Sequence, residues 1–489
     1  MPGNTFTLHS SVLFDPKKKA FVKNVSIKID RESGAIADVF TRDGDGEDSL
    51  VFADGDIDLR GKVVLPGFVD SHTHVFLYSY KERSAGEQMR DESAVERVVR
   101  ATNHVRAALL AGYTTYRDLG TEALGAADAN LRDCINRGLT PGPRLFVATD
   151  ALASSGSYEL RRENKLGPGG PLIVPVASDA ADGVDGVRAA VRRRVGDGAD
   201  IIKFYADYRR KVMRFPPPGA TSSRAIRFLP ARPNPAVPNY TQREMNAIVE
   251  EARLAEIPVA AHAGETRAAL MAARAGVTTI EHIFEDTDQI LEQLFKEMKV
   301  SGSIWVPTLA TAETLAPSMF QAAKVAVKKA HDAGVRLAAG GDTGTFDHGL
   351  NVHEMEIMVD AGIPIEDVLE AGTVAGWEAC GGDQSGFRFG WFEKGNRADV
   401  IALDTDPRRD RKALRKVSFV MKDGQVWKRD GVAAASMITV PTWPSSEDES
   451  DSSVSEEWTD LSGAQPRMAM SVPLPVYGGA KGSGAKTRS

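Results

Sequence analysis

The fold class this sequence predicts is α/β, a (β/α)8 TIM barrel, and three observations predict it. From Val63 to about Gly390, eight short apolar runs alternate with helical stretches. An open doubly wound sheet would place a glycine-rich phosphate turn after its first strand, but here that position holds His72-Thr73-His74. Lys203, His262, His282 and Asp342 follow at or just beyond the ends of four later runs. That is the end of the strands at which a barrel of this kind builds its active site.

Taken in order, residues 1–62 read as short β segments. Thr5–Phe14, Val22–Ile29 and Ile36–Phe40 are separated by Asp/Gly-rich turns such as Arg42-Asp43-Gly44-Asp45-Gly46. Residues 63–394 read as the barrel. Its strand candidates are Val63–Val69, Thr114–Asp118, Arg144–Ala148, Asp200–Phe204, Val259–His262, Thr278–His282, Ser303–Pro307 and Arg336–Ala339. Between them, Ala94–Leu110 spaces Val95, Val98, Val99, Thr102, Val105 and Leu109 at about 3.6 residues, so these should form the buried face of a helix. Gln242–Ala255 is another helix, which Thr241 can cap. Residues 395–440 return to β character in Ala398–Leu403 and Val417–Met421, with a hairpin signal at Asp423-Gly424. Residues 441–489 begin with an acidic serine cluster and end rich in Gly, Ala, Lys and Ser, a composition that cannot bury a core and predicts disorder. Between Arg210 and Tyr240, Pro216-Pro217-Pro218 and Pro233-Asn234-Pro235 interrupt any helix and predict a long loop suited to a lid or pocket wall.

His72 and His74 are two apart at a strand end, so both rings project from one face and suit chelation of a first-row metal. On its own the pair fits two packed histidines equally well. A lysine at a strand end is usually surface, and a lone histidine there usually a hydrogen-bonded core residue. The succession of two His, then Lys, His, His and Asp at successive strand ends is much harder to assign to packing.

Composition sets the boundaries. The chain is 42% hydrophobic and 26% charged, enough for an ordinary globular interior. A net charge of −7 without a basic stripe argues against a nucleic-acid partner. Cys134 and Cys380 are the only cysteines, which leaves no disulfide framework and no thiolate metal site. With no signal-peptide pattern and no apolar run of about 18 residues, the expected address is the cytoplasm, with no membrane partner. A homo-oligomer is compatible with everything in the sequence.

These pieces resemble the metal-dependent amidohydrolase superfamily, in its imidazolonepropionase-like and dipeptidase-like branch, which includes ochratoxin-hydrolysing enzymes. The resemblance runs from about Phe6 to Gly431. It rests on Leu65-Pro66-Gly67-Phe68-Val69-Asp70-Ser71-His72-Thr73-His74, Gly112–Gly120, Ile201–Arg209, Val259–Ala263, Ile280-Glu281-His282, Gly341–Gly344 and Gly395–Ile401.

The resemblance implies that the terminal β segments join in a small composite β-sandwich. It also implies two divalent metal ions, zinc being the expected one, with His72 and His74 on one and His262 and His282 on the other. Lys203 would be carboxylated by CO2 and bridge them, since a bare ammonium between two cations is untenable; the alternative is a salt-bridging lysine. Two such ions share a hydroxide, and Asp342 is placed to act as general base and pass the proton to the leaving amine. For substrate contact the sequence offers Tyr205, two residues past Lys203, Tyr158 in the loop after the third strand, and His348 on the loop after Asp342. Tyr205 either faces the pocket or packs against a loop. Dipeptidase-like relatives often carry His-Ala-His at the fifth strand, whereas this chain has His262-Ala263-Gly264, which weakens a peptide-carboxylate reading. The expected reaction is hydrolysis of a C–N amide-type bond in a small molecule: a linear amide, N-acyl amino acid, dipeptide-like compound or cyclic amide. A deaminase or lactonase of the same superfamily and a non-catalytic barrel are the alternatives.

Overall fold

A computed structural model describes residues 4–42, 52–158, 176–209, 236–285 and 288–437, with the strand backbones of 162–167 and 170–173. The acidic tail and most of the proline-rich 210–240 segment lie outside the described residues. The barrel strands fall into two parallel sheets. One has three strands, Arg144–Val147, Tyr113–Asp118 and Phe68–Thr73. The other has six: Ser178–Ala180, Ala151–Ala153, Ile202–Tyr205, Val259–Glu265, Thr279–Glu285 and Ile304–Val306. On one side the sheets are joined by Asp200 N and Ile201 N, which donate to the Val147 carbonyl at 2.8 and 3.1 Å.

On the other side the pairing departs from the expected closed ring of eight strands. Arg336–Ala339 is not a strand. The segment makes one parallel bridge, Leu337 to Trp305, and Thr343 beyond it makes another, to Thr73. Its course is set by two glycines: a Cβ on Gly340 would lie 2.7 Å from the His72 nitrogen, and one on Gly341 2.8 Å from the Phe346 ring. This close approach carries the chain over the first strand and brings Asp342 beside His72.

The expected run Val63–Val69 is likewise two strands. Val63–Pro66 pairs with Val12–Asp15 and Val400–Leu403, and Phe68–Thr73 belongs to the barrel. The break is at Gly67, where a Cβ would sit 2.1 Å from the Thr114 hydroxyl. Val63–Pro66 thus lies in a seven-stranded sheet that mixes N-terminal strands with Val400–Leu403, Val417–Lys422, Gln425–Arg429 and Val432–Ala433. This sheet shares an apolar core (Leu8, Ile27, Val64, Val400, Phe419) with a four-stranded sheet of Ile36–Thr41, Val25–Asp30, Thr5–His9 and Ile57–Asp58. Asp423 and Gly424 have φ of 52° and 75°, the two left-handed residues a tight hairpin needs.

The helix Ala94–Leu110 forms as expected, with Ser93 accepting from Glu96 N at its start. Its buried face differs. Val95 is 74% exposed and Val98 and Val99 are also outside, while Arg97, Ala101, Val105, Ala108 and Leu109 face in. Arg97 makes that possible, because its guanidinium donates to the carbonyls of Phe76 and Thr121 inside the protein. Thr241 caps Gln242–Leu254 through a capping box with Glu244.

Arg144 clamps the barrel to the C-terminal strands. It donates to Asp399 at 2.8 Å and Asp423 at 2.5 Å, and it is 5% exposed. Burial pushes the Asp423 carboxyl up, but Arg144, Lys422 and Arg397 outweigh it and hold it at about 2. Arg144→Met strands buried carboxylates and should cost ~3–5 kcal/mol in urea unfolding. A carboxyl depressed on folding stabilises above its unfolded value near ~4, and that stability is lost as pH falls through about 2. The gap between wild type and variant should therefore narrow as the pH falls below ~4. A gap that is constant with pH would show that Asp423 contributes nothing to it.

Candidate active site

The strand Phe68–Thr73 carries His72 at its end, and His74 follows one residue beyond. His74 N donates to the Thr343 carbonyl at 2.7 Å and Thr343 N to the His72 carbonyl at 3.2 Å. This stitch places Asp342 opposite both rings. His72 Nε2 lies 3.5 Å and His74 Nε2 3.3 Å from the same oxygen, Asp342 Oδ1. Asp342 itself holds φ 60°, and its carbonyl accepts from the Thr345 hydroxyl at 2.9 Å.

The Nδ1 atoms of three histidines are occupied. His72 Nδ1 faces Glu281 Oε2 at 2.8 Å, His74 Nδ1 the Gly120 carbonyl at 2.9 Å, and His282 Nδ1 the Thr308 hydroxyl at 2.8 Å. With the proton on Nδ1, each ring offers a bare Nε2 lone pair. All four histidines are held neutral. Burial lowers His72, His262 and His282 well below the usual imidazole value and His74 to about 4, and the Lys203 ammonium lowers every one further. Neutral, oriented imidazoles with inward lone pairs are what a metal site requires, so these residues fit the ions that the resemblance implies.

The other two ring positions close the cluster. His282 lies 4.9 Å from His72 and 4.5 Å from His262, centroid to centroid. His282 and Ile283 have φ of 79° and 71°, and the Trp305 indole donates to the His282 carbonyl at 2.8 Å, pinning that turn. Single donor atoms of His72, His282 and Asp342 all lie within 4.8 Å of one another. This grouping crosses the two histidine pairs that the resemblance implies. Lys203 is buried on Ile202–Tyr205; burial drives its amine down to about 8 against the pull of Glu281 and Asp342. Burial raises Asp342 to about 7, with Lys203 opposing and Asp70 adding to the shift.

Tyr205 stacks on Tyr158 with centroids 4.3 Å apart and lies 4.7 Å from His262, so both tyrosines wall the cluster. The Tyr158 hydroxyl donates to Glu122 at 2.5 Å, and Glu122 Oε1 is 3.7 Å from His74 Nδ1. His348 is set differently: it stacks on His104 at 4.4 Å, and its Nε2 meets the Leu77 carbonyl at 3.1 Å. Sequence reasoning missed Arg117, Glu281, Thr308 and Glu122 as parts of this site. The signal for two of them was a charge inside an apolar strand, Tyr116-Arg117-Asp118 and Ile280-Glu281-His282, since a buried charge must be paired.

The sequence pattern of the amidohydrolase family matches residues 63–428, from the last N-terminal strand through the C-terminal hairpin. The chain belongs to the amidohydrolase family. Within it, the dipeptidase-like branch holds its relatives. Ochratoxinase of Aspergillus niger is 29% identical over 416 residues, covering 76% of this chain and 77% of that one. A crystal structure of a Xaa-Pro dipeptidase with methionine bound in its active site superposes with a TM-score of 0.70 at 27% identity, covering 87% of this chain and all (100%) of that one. The crystal structure of the A. niger ochratoxinase, at 23% identity and TM-score 0.68 over 88% of this chain and 98% of its own, shares the fold. As an amidohydrolase of TIM-barrel type, the protein is a hydrolase of carbon–nitrogen bonds of the amide type. Its family generally depends on metal, and His72, His282 and Asp342 form a potential metal site.

Proposed function

We propose that the protein is a binuclear metal-dependent amidohydrolase that cleaves an amide-type C–N bond in a small molecule, with Asp342 as general base. The observation that carries this reading is the convergence of the Nε2 atoms of His72 and His74 on one oxygen of Asp342, with both Nδ1 atoms occupied elsewhere. His72 and His74 would hold one divalent ion and His262 and His282 the other, with Lys203 and Asp342 as shared or adjoining donors. Bound there, the ions supply an acidified water and polarise the substrate carbonyl. The remaining work belongs to the chain. Asp342, its basicity raised by burial, takes the proton of the attacking water and returns it to the leaving nitrogen. Lys203, its amine eased towards neutrality by burial, adds to CO2 to give a carbamate and a released proton; the cation becomes an anionic donor. Tyr158 and Tyr205 form an apolar wall for the acyl or amine group, and His348 acts on the loop behind.

The same reading completes the barrel through residues 336–343 and joins the two terminal sheets in a composite sandwich. It places the enzyme in the cytoplasm; among the described residues no helix is long and apolar enough to cross a membrane. The substrate class is supported by what the relatives' names state, an ochratoxinase and a Xaa-Pro dipeptidase, and a dipeptide-like or N-acyl amino acid compound leads the candidates. The chain's own Gly264, standing where dipeptidase-like relatives often place a second histidine, weakens a reading that relies on recognising a peptide carboxylate, and a linear or cyclic amide stays among the candidates. Protein reconstituted with zinc and bicarbonate should hold about two ions per chain by elemental analysis, and a library of N-acyl amino acids and dipeptides should yield a hydrolysed amide. One ion at saturation would move the reading to a mononuclear deaminase, and a blank library to a lactonase or a barrel without catalysis.

A further inference from the structure

Arg117 is wholly buried, and its polar contacts tie the strand that leads to His72 to the strand that carries His282 and to the helix ending at Ala379. Its Nε donates to the Ser71 carbonyl at 2.5 Å, immediately before His72. One terminal nitrogen reaches the Thr279 hydroxyl at 2.9 Å and the Ala379 carbonyl at 3.0 Å, and the other reaches Glu281 Oε1 at 2.8 Å. The Thr279 hydroxyl donates to that same Glu281 oxygen. Glu281 is then left with Oε2 against His72 Nδ1 at 2.8 Å, and its side chain is fully buried.

The other histidines are held by weaker acceptors. His282 meets the neutral hydroxyl of Thr308, and His74 a backbone carbonyl at 2.9 Å, with the Glu122 carboxylate farther off at 3.7 Å. His262 is 21% exposed at its side chain, and the nearest carboxylate, Asp207, stands 3.7 Å from its Nε2 while accepting from Gly264 N and Glu265 N. A carboxylate on the far nitrogen fixes the ring, selects the tautomer and makes the facing nitrogen a stronger donor, which a hydroxyl or carbonyl does less.

Resting on the metal-centre reading above, we propose that Glu281, clamped by Arg117 and Thr279, is a positioning residue that orients His72 and makes the ion held through His72 the tighter of the two. Arg117, Thr279 and Glu281 are all fully buried. The ranking of the two ions is therefore built into the protein and does not depend on turnover.

The test is zinc binding to metal-stripped protein in competition with a chromophoric chelator. Wild type should fill in two steps. Glu281→Gln should weaken the tighter step by about 10–100-fold and leave the weaker step within a factor of about three. Thr308→Val, which removes the hydroxyl from His282, should affect the weaker step and by less. Because Glu281→Gln leaves Arg117 buried without its partner, the paired variant Arg117→Gln with Glu281→Gln is measured alongside, and it should show the same selective loss with a metal-free melting temperature near wild type. A tighter step unchanged in both variants overturns the proposal, as does an equal loss of both steps accompanied by a lower metal-free melting temperature. A wild type that takes up no zinc sinks the metal-centre reading itself, whereas two wild-type steps that both variants preserve sink only the role of Glu281.

Discussion

Asp342→Asn should give a folded, metal-loaded protein whose kcat is lower by a factor of about 10² to 10⁴. The amide keeps one neutral oxygen for a metal and fills the same space between His72 and His74, where Asp342 Oδ1 now lies 3.5 and 3.3 Å from the two Nε2 atoms. It lacks the basic oxygen that takes and returns the proton. The loss should therefore fall on kcat more than on KM, since the group acts in the transition state. Metal content must be measured on the same sample. An unchanged kcat in a metal-replete variant removes Asp342 from the chemistry.

Lys203→Ala should lose a metal and nearly all activity, with partial recovery when a small carboxylic acid is added. The side chain is buried, so truncation leaves a space at the proposed metal centre, where two bound cations would call for an anionic donor. A short carboxylic acid supplies that anion. Lys203→Arg should not recover under the same conditions, because a guanidinium stays charged and cannot form a carbamate. Full activity in Lys203→Ala would end the role of Lys203 at the metal centre, and recovery in neither variant would favour a salt-bridging lysine.

The ligand-type residues were legible in the sequence because each stands where an apolar run stops, and the run itself announces a buried strand. Residues three and four apart announced the helix at Ala94–Leu110 equally well, but not its inward face. Three valines outvote one arginine on any hydrophobic scale, and only the structure shows that the Phe76 and Thr121 carbonyls receive Arg97. Gly67 hides the other large misreading. Val63–Val69 is continuous in hydrophobicity, so nothing along it says that its two halves serve different sheets; the close contact with Thr114, 47 residues later, decides that. Arg336–Ala339 has the composition of a strand, yet it keeps a single bridge to Trp305, and the two glycines that follow carry the chain close over His72 without regular pairing. Glu281 and Arg117 stood in plain view within quoted motifs. Their meaning depends on a meeting between residues 164 apart in the chain, which periodicity cannot report.

The division at Gly67 also imposes an order of events on the growing chain. Val63–Pro66 finds one neighbour, Val12–Asp15, soon after it is made, but its other neighbour is Val400–Leu403, where Leu403 pairs with Val63 some 340 residues later. Until then one edge of a fully buried strand stays open, next to the segment that bears His72 and His74. Long-range pairing of this kind is slow because the intervening chain must be gathered first. The strand that leads into the metal-binding edge is therefore among the last to gain its second neighbour. A ribosome-bound fragment ending before residue 400 leaves that strand edge without its partner, and so open to another chain.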